Sequence, residues 1–288
     1  MNTVQAGERN LKVIASCSMH PKLFKEFSEI ISRECGIKLP SAKKVMLESR
    51  MRKRLRDLRL NSFEEYREFF HSGERENELV HLIDVVTTNT TEFFREPRHF
   101  EILSGRVLPE WGARRANSRF KVWSAGCSSG EEPYTLAMIL QEFAETMTGF
   151  RFSILGTDIS TCVLQRAIRA VYPEDRARKI PERFKRKYLL RSKDRTKNLI
   201  RMAPEVRSSV TFQRLNFMEE FSLEEAMDAI FCRNVLIYFD RPTQELILNR
   251  ICRHLLPGGY LFIGHSESLA GMGLPLMAVA PTVYRKAP

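Results

Sequence analysis

Two glycines bracket a loop of small residues, Gly126–Gly130 (G-C-S-S-G), and two carboxylates, Glu131 and Glu132, follow it directly. A loop without bulky side chains lets the backbone approach a ligand closely. It lacks the G-x-G-x-x-G pattern of dinucleotide sites and the G-K-[ST] ending of phosphate loops. Carboxylates would repel a pyrophosphate but suit a cationic, hydroxyl-bearing ligand such as S-adenosylmethionine. Without further signals, the loop could equally be a plain strand-to-helix connection.

The segments on either side of the loop predict the elements that would position it. Residues 120–125 are β-branched or aromatic with little charge, which indicates a short buried strand. Beyond the loop, apolar Leu136, Ala137, Ile139 and Leu140 can face a sheet from a helix. The pattern is therefore strand, loop and helix, the arrangement that holds nucleotide-like ligands in α/β proteins.

A second candidate ligand-binding residue is Asp158, at the end of a strand predicted over residues 152–157. In nucleotide-binding α/β folds an acid at this place accepts hydrogen bonds from ribose hydroxyls. Asp158 lies 28 residues after Gly130, somewhat more than the usual interval of about 20. It could instead cap the helix predicted from Thr161, and the two roles are compatible.

Later segments extend the predicted sheet. Met227–Cys232 is a further buried strand, and Arg233–Phe239 follows at its carboxyl end, where polar residues of a parallel strand face the ligand. Asn216 closes another strand-like segment. Residues 172–204 are dense in Arg and Lys, and short strands at 199–202 and 210–214 predict a basic insertion over about 173–214. The remaining predicted elements are a helix at 242–256, a strand at 260–264 and a single final strand at about 277–286.

Length and composition set the general class of the protein. The 288 residues are 43% hydrophobic, enough for two modest domains with real cores. No apolar run approaches the roughly 20 residues that span a bilayer, so we expect no membrane insertion. The six cysteines contain no C-x-x-C pair, which predicts no metal site and a reducing, cytoplasmic location. The net charge of +11 indicates an acidic partner without choosing among nucleic acid, membrane and protein.

The N-terminal part predicts four amphipathic helices and no catalytic group. The second helix, from the potential N-cap Ser41, carries eight cations against two anions in residues 43–59. Such a helix face is often simply solvated, but this imbalance exceeds what salt-bridge pairing needs, so we interpret it as a docking surface. The candidate docking residues are Lys43, Arg50, Lys53, Arg54 and Arg56. We expect charge reversal at Arg54 and Arg56 to raise the substrate KM.

Four longer motifs carry a family resemblance. They are T-T-N-T-T-E-F-F-R-E (87–96), W-S-A-G-C-S-S-G-E-E-P-Y (123–134), F-C-R-N-V-L-I-Y-F (231–239) and G-H-S-E-S (264–268). With the P-G-G turn at 257–259, the chain resembles class I S-adenosylmethionine-dependent methyltransferases. More narrowly, it is similar to the chemotaxis receptor methyltransferases of the CheR family. The resemblance implies an α/β Rossmann-like domain with a small antiparallel β insertion, preceded by an all-α domain.

The resemblance also implies a domain organisation and an activity. An all-α domain would cover residues 1–88, a linker contributing to the cofactor site residues 89–96, and the methyltransferase domain residues 97–288. The activity implied is methylation of glutamate side chains in the cytoplasmic helical domain of bacterial chemoreceptors, with S-adenosylhomocysteine as product. The implied cofactor contacts are Asn89, Thr91, Arg95, Gly126, Glu132, Asp158, Asn216, Phe217, Asn234 and Val235. Arg95 and Tyr238 are the candidate catalytic residues, although Tyr238 could instead pack in the core.

Some family members bind a pentapeptide tether of the receptor through glycines in the insertion. The corresponding stretch here, residues 191–197, has no glycine, so we expect no tether binding. We also expect a monomer.

Two other functions fit a basic class I domain. An RNA methyltransferase is disfavoured because residues 234–237 read N-V-L-I rather than N-P-P-Y, and no groove of stacking aromatic and basic residues is evident. We therefore expect no nucleic-acid partner. A non-enzymatic cofactor sensor is disfavoured because Asn89, Arg95, Asp158 and Asn234 are all present.

Overall fold

The chain divides between Thr88 and Asn89 into two units, Met1–Thr88 and Asn89–Pro288. The structure is a computed structural model that describes residues 17–115 and 118–287. None of the helices within those ranges is both long and apolar enough to cross a membrane.

The N-terminal unit is built from α-helices, as predicted. They are α1 Pro21–Cys35, α2 Lys44–Leu58, α3 Phe63–His71 and α4 Arg75–Val86. Their apolar faces meet around Phe27, whose ring lies 5.6 Å from that of Tyr66 and 6.1 Å from that of Phe70. Gly36 ends α1 in the left-handed conformation that its missing Cβ permits.

The starts of α2 and α3 differ in how they are capped. Ser62 accepts a hydrogen bond from the Glu65 amide at 3.0 Å and so acts as the N-cap of α3. The Glu65 carboxylate accepts from the Asn61 amide at 2.8 Å. Ser41, by contrast, is not an N-cap: it opens a 3₁₀ turn, Ser41–Lys43, that leads into α2 without a side-chain cap.

The C-terminal unit holds a seven-stranded sheet with the order β6-β2-β1-β7-β8-β10-β9. Its strands are β1 Arg119–Ala125, β2 Arg151–Asp158, β6 Val210–Arg214, β7 Met227–Cys232, β8 Leu255–Ile263, β9 Leu276–Ala280 and β10 Val283–Lys286. β6, β2, β1, β7 and β8 pair in parallel, while β10 is antiparallel to both β8 and β9. The predicted α/β class is confirmed.

Helices and a second sheet surround these strands. The helices are α5 Pro97–Ile102, α6 Leu108–Arg115, α7 Glu131–Thr146, α8 Thr161–Arg169, α9 Glu182–Tyr188, α10 Pro204–Ser208 and α11 Arg241–Arg253. A π-helical turn, Leu103–Val107, joins α5 to α6. The small sheet has the order β3-β5-β4, with β3 Val171–Pro173, β4 Leu189–Arg191 and β5 Leu199–Met202 all antiparallel. It is the predicted antiparallel insertion.

Two predictions about strands were wrong in detail. The predicted single final strand is a hairpin, because Thr282 adopts a left-handed φ of 56° and reverses the chain between β9 and β10. The predicted insertion also extended too far. Val210–Arg214 does not belong to it but pairs in parallel with β2 as the edge strand of the main sheet.

Candidate active site

Four neighbouring parallel strands, β6, β2, β1 and β7, end at one edge of the main sheet. Ala125 at the end of β1 pairs with Thr157 of β2, and Asp158 pairs with Arg214 of β6. Because carboxyl ends of parallel strands meet at one edge, the polar residues that follow them converge there. The sequence-predicted loop, Asp158 and the segment after Cys232 are therefore neighbours in space.

The loop after β1 is tied to the end of β2. The backbone amides of Gly126 and Cys127 both donate to the carbonyl of Thr157 at 2.8 Å. Gly126 has a φ of +83°, and a Cβ at this position would lie 2.4 Å from Cγ2 of Val235. A glycine is therefore required twice, for the backbone conformation and for the close approach of the turn after β7.

Asp158 stabilises the same loop. Its carboxylate accepts hydrogen bonds from the Ser128 amide at 2.8 Å and the Ser160 amide at 2.9 Å. The N-cap of α8 is Ser160, whose hydroxyl accepts from the Val163 amide, so the alternative capping role does not fall to Asp158. Contact with ribose hydroxyls stays a prediction for this nearly buried carboxylate.

The two carboxylates after the loop have different environments. Glu131 is only 1% exposed and accepts from the Ser129 hydroxyl at 2.7 Å. Glu132 accepts from the Ser124 hydroxyl at 2.7 Å and lies 3.1 Å from a guanidinium nitrogen of Arg233. Burial raises the pKa of Glu132, and Arg233 opposes that effect. Glu131 is therefore internal, whereas the cofactor contact of Glu132 stays a prediction.

Arg233 is the site residue that sequence reasoning missed. It is 6% exposed at the end of β7 and donates to Glu132, Glu96 and the carbonyl of Arg95. Its guanidinium also lies over the ring of Phe100, 5.3 Å from the centroid. The sequence signal was an arginine that directly follows a buried apolar strand and has no acidic neighbour. A buried cation needs anionic partners, so such an arginine must find them elsewhere in the fold.

The polar-aromatic segment before α5 lies on this domain and is anchored to it. Ser128 donates to the carbonyl of Asn89 at 3.0 Å, and the amide of Phe94 donates to the Thr135 hydroxyl at 3.1 Å. The segment therefore contacts both the loop after β1 and helix α7. These contacts support the expectation that the linker, residues 89–96, contributes to the cofactor site.

Two further contacts fix the segment and leave one side chain available. The ring of Phe93 is fully buried against Tyr172, with centroids 5.1 Å apart, and Arg176 donates to the carbonyl of Thr91 at 2.9 Å. Arg95 is half-buried and donates to the carbonyl of Thr90 at 3.0 Å. A guanidinium has five N–H donors, so this contact leaves Arg95 further donors for a carboxylate.

Asn216 and Phe217 follow β6 at the same edge but are buried. The Asn216 side chain accepts from the Met218 amide at 3.1 Å and donates to Glu219 at 3.0 Å. Phe217 packs against Trp123 with ring centroids 6.3 Å apart. The Asn216 side chain thus stabilises its own turn, and its cofactor contact stays a prediction.

Asn234 and Val235 begin the turn after β7. Asn234 has a left-handed φ of 58°, and its side-chain Nδ2 lies 3.5 Å from a carboxylate oxygen of Glu96. The amide of Tyr238 donates to the carbonyl of Val235 at 3.3 Å, so the half-buried tyrosine belongs to the same turn. The predicted site residues Asn234, Val235 and Tyr238 therefore belong to one turn.

A histidine pair adjoins this turn. Glu96, His99 and His265 each place one potential ligand atom within 4.8 Å of the others. His99 is fully buried, and its Nε2 lies 2.8 Å from the Thr282 hydroxyl. Burial lowers the pKa of His99 to about 4. Because Arg233 already occupies the Glu96 carboxylate at 3.1 Å, we interpret the group as part of the ion-pair network and assign no metal to it.

The predicted docking residues on α2 separate into two groups. Arg54 donates to the buried Glu78 at 2.9 Å, and Arg50 donates to the carbonyls of residues 85–87 at the end of α4. These two cations stabilise the helical unit, so their assignment to a docking surface is revised. Lys53 and Arg56 are exposed. The half-buried Lys43 lies in the 3₁₀ turn before α2.

The fold and this edge together define a class. A parallel sheet ending in an antiparallel hairpin, with a glycine loop after β1 and an acid after β2, is the architecture of class I S-adenosylmethionine-dependent methyltransferases. Residues 89–283 match the CheR methyltransferase SAM-binding domain, and residues 22–87 match the CheR methyltransferase all-alpha domain. The chain belongs to the CheR family.

Several curated relatives span nearly all of the chain. A chemotaxis protein methyltransferase of Borreliella burgdorferi is 38% identical over 99% of this chain and 100% of its own length. A chemotaxis protein methyltransferase of Escherichia coli is 36% identical over 91% of this chain and 89% of its own. Chemotaxis protein methyltransferase 2 of Pseudomonas aeruginosa is 38% identical over 92% of both chains.

Proposed function

We propose that this protein transfers the methyl group of S-adenosylmethionine to glutamate side chains in the cytoplasmic helical domain of chemoreceptors. The products are glutamate methyl esters and S-adenosylhomocysteine. The observation that carries the proposal is the convergence of Gly126, Asp158 and Asn234 at one sheet edge, in a chain that matches both domains of its family. The anchored segment containing Arg95 lies at the same edge.

The acceptor chemistry suits the residues at this edge. A glutamate carboxylate has a reference pKa of about 4.3, so it is already a nucleophile at neutral pH and needs no general base. It needs alignment at about 3 Å from the methyl carbon and removal of water. Arg95 would orient the carboxylate of the substrate or of the cofactor through its guanidinium fork. Tyr238, in the turn after β7, would donate a hydrogen bond to the substrate.

The cofactor would lie along the carboxyl edge. Asp158 would accept hydrogen bonds from the ribose hydroxyls, and Gly126 would let the backbone approach. The other proposed contacts are Asn89, Thr91, Arg95, Glu132, Asn216, Phe217, Asn234 and Val235.

Receptor docking would use the exposed cations of α2. Lys53 and Arg56 offer positive charge to an acidic helix bundle, and complementary charge accelerates encounter and fixes register. Lys43 would extend the same surface. We propose that the protein acts as a monomer and does not need the receptor's C-terminal pentapeptide, because residues 191–197 lack glycine.

One assay separates the proposed activity from its competitors. The protein is incubated with S-adenosylmethionine labelled in the methyl group and with receptor-containing membranes, and the products are treated with alkali. Glutamate methyl esters release volatile labelled methanol, whereas N-methyl groups on RNA or protein do not. Label incorporated without methanol release would reject the glutamate substrate. Cofactor binding without any transfer would instead identify a sensor.

A further inference from the structure

The turn after β7 is held by a buried carboxylate from the segment after β8. Glu267 is 8% exposed, and it accepts hydrogen bonds from the backbone amides of Asn234 at 3.0 Å, Leu236 at 2.7 Å and Gly264 at 2.6 Å. We propose that Glu267 is a positioning residue of the methyltransferase: it fixes the backbone from which Asn234, Val235 and Tyr238 act.

The division of these bonds between the two carboxylate oxygens explains why a carboxylate is needed. Oε2 accepts from Asn234 and Gly264, and Oε1 accepts from Leu236. Both ends of the side chain must therefore accept, which an ionised carboxylate does and a carboxamide cannot. Hydrogen bonds to a charged acceptor are also stronger than those between neutral groups.

The turn is closely packed, so its shape depends on this support. Asn234 holds a φ of 58°, a left-handed conformation that asparagine adopts more readily than most non-glycine residues. A Cβ on Gly264 would lie 2.5 Å from Nδ2 of Asn234 and 2.9 Å from Oε2 of Glu267. The glycine of the G-H-S-E-S motif thus makes room for the glutamate of the same motif to reach the turn.

A shift of this turn would reach the loop after β1. Cγ2 of Val235 lies 2.4 Å from the position of a Cβ on Gly126, so the valine covers the first glycine of the loop. The Tyr238 amide bonds to the carbonyl of Val235. Glu267 therefore acts through the backbone on Asn234 and Val235, which are predicted cofactor contacts, and on the candidate catalytic residue Tyr238.

The test rests on the proposed function and compares two buried acids of similar exposure. In Glu267→Gln, one end of the amide must present its NH₂ to a backbone N–H. The control is Asp228→Asn at the opposite end of β7. Asp228 is 7% exposed and accepts from the Trp111 indole at 3.0 Å and the Lys121 amide at 2.9 Å. Both variants lose a buried carboxylate, but only the first borders the cofactor edge.

The readouts are the Kd for S-adenosylhomocysteine from calorimetry and the steady-state kinetics of methyl transfer. Because the backbone that carries two cofactor contacts is no longer fixed, the Kd of Glu267→Gln should rise about tenfold, which corresponds to about 1.4 kcal/mol. We expect a higher KM for S-adenosylmethionine and a lower kcat. For Asp228→Asn we expect less than a twofold change in Kd.

Each outcome decides one question. If folded Glu267→Gln binds S-adenosylhomocysteine as tightly as the wild type, the positioning role is overturned. If the wild type itself does not bind this product, the proposed function fails instead. Should the variant not fold, hydrogen exchange of the wild type decides: the amides of Asn234, Leu236 and Gly264 must be protected. Exchange at the rate of open loops would reject the proposal.

Discussion

The guanidinium of Arg233 lies 3.1 Å from the carboxylate of Glu132, and their side chains are only 2% and 14% exposed. The same arginine reaches Glu96 at 3.1 Å, so one cation compensates two acids at the carboxyl edge of the sheet. A buried pair is weak evidence of net stabilisation, because desolvation costs about as much as the attraction returns. Removal of one partner alone is costly, since it leaves uncompensated charge inside the protein.

Arg233→Met should therefore lower the free energy of unfolding by about 3–5 kcal/mol, measured by urea denaturation. The control is Arg98→Met, because Arg98 pairs with Glu101 on the surface with its side chain 73% exposed. Such surface pairs contribute about 0–1 kcal/mol. Adding Glu132→Gln to Arg233→Met should recover part of the loss. Equal effects of the two single substitutions would contradict the assigned network.

Two neighbouring arginines of α2 should give opposite phenotypes. Arg54→Ala removes the cation that pairs with buried Glu78 and leaves that carboxylate with the Tyr66 hydroxyl at 2.7 Å, so we expect a loss of roughly 3 kcal/mol in the stability of the helical unit. Arg56→Glu changes an exposed cation, so we expect unchanged stability and a several-fold higher KM for the receptor. Thermal denaturation and methylation kinetics measure the two effects. An unchanged receptor KM in a folded Arg56→Glu, Lys53→Glu double variant would remove the docking surface.

His99 should make the free energy of unfolding depend on pH. Its pKa falls from 6.5 in the unfolded chain to about 4 in the fold, because burial and Arg233 both oppose its charged form. Glu96, 3.5 Å from Nδ1, favours the charge, and the His265 ring at 5.2 Å opposes it. The unfolded chain therefore takes up the proton first, and stability falls as the pH drops from 6.5 towards 4.

The expected loss between pH 7 and pH 4.5 is about 2–3 kcal/mol from His99. Urea denaturation at pH 7 and at pH 4.5 gives the loss of stability for the wild type and for His99→Gln. The difference between these two losses is the contribution of His99. The substitution leaves the other titrating groups in place, so their shared contribution cancels. Parallel stability profiles for the two proteins would show that His99 does not titrate in this way.

The loop after β1 should tolerate no side chain at its first glycine. In Gly126→Ala the new Cβ would lie 2.4 Å from Val235 at a φ of +83°. The left-handed backbone costs about 1–2 kcal/mol, and overpacking adds about 1–3 kcal/mol. Gly105→Ala is the matched control, because a Cβ there meets nothing within 4 Å. The free energy of unfolding from urea denaturation and the affinity for S-adenosylhomocysteine should both be lower in the first variant. Both should be unchanged in the second.

Local signals predicted the parts of the site that depend on neighbouring residues. The apolar run before Gly126 and the acid after the second strand placed the loop and Asp158 at one edge, because strand ends are readable from short patterns. The turn at Thr282 escaped prediction, although Pro281 directly before it is a local signal that a strand ends. Long-range pairing escaped as well: Arg233 lies 101 positions from Glu132 and 137 from Glu96. Such partners are fixed only by the fold.

Compensation of two acids by one arginine also limits how this sequence can evolve. A lineage that exchanged Arg233 alone would pass through a form with two uncompensated acids in its interior. Viable descendants must then keep the arginine or replace the acids together with it. Distant homologues should accordingly show correlated substitutions at this trio, even where the rest of the sheet has diverged freely.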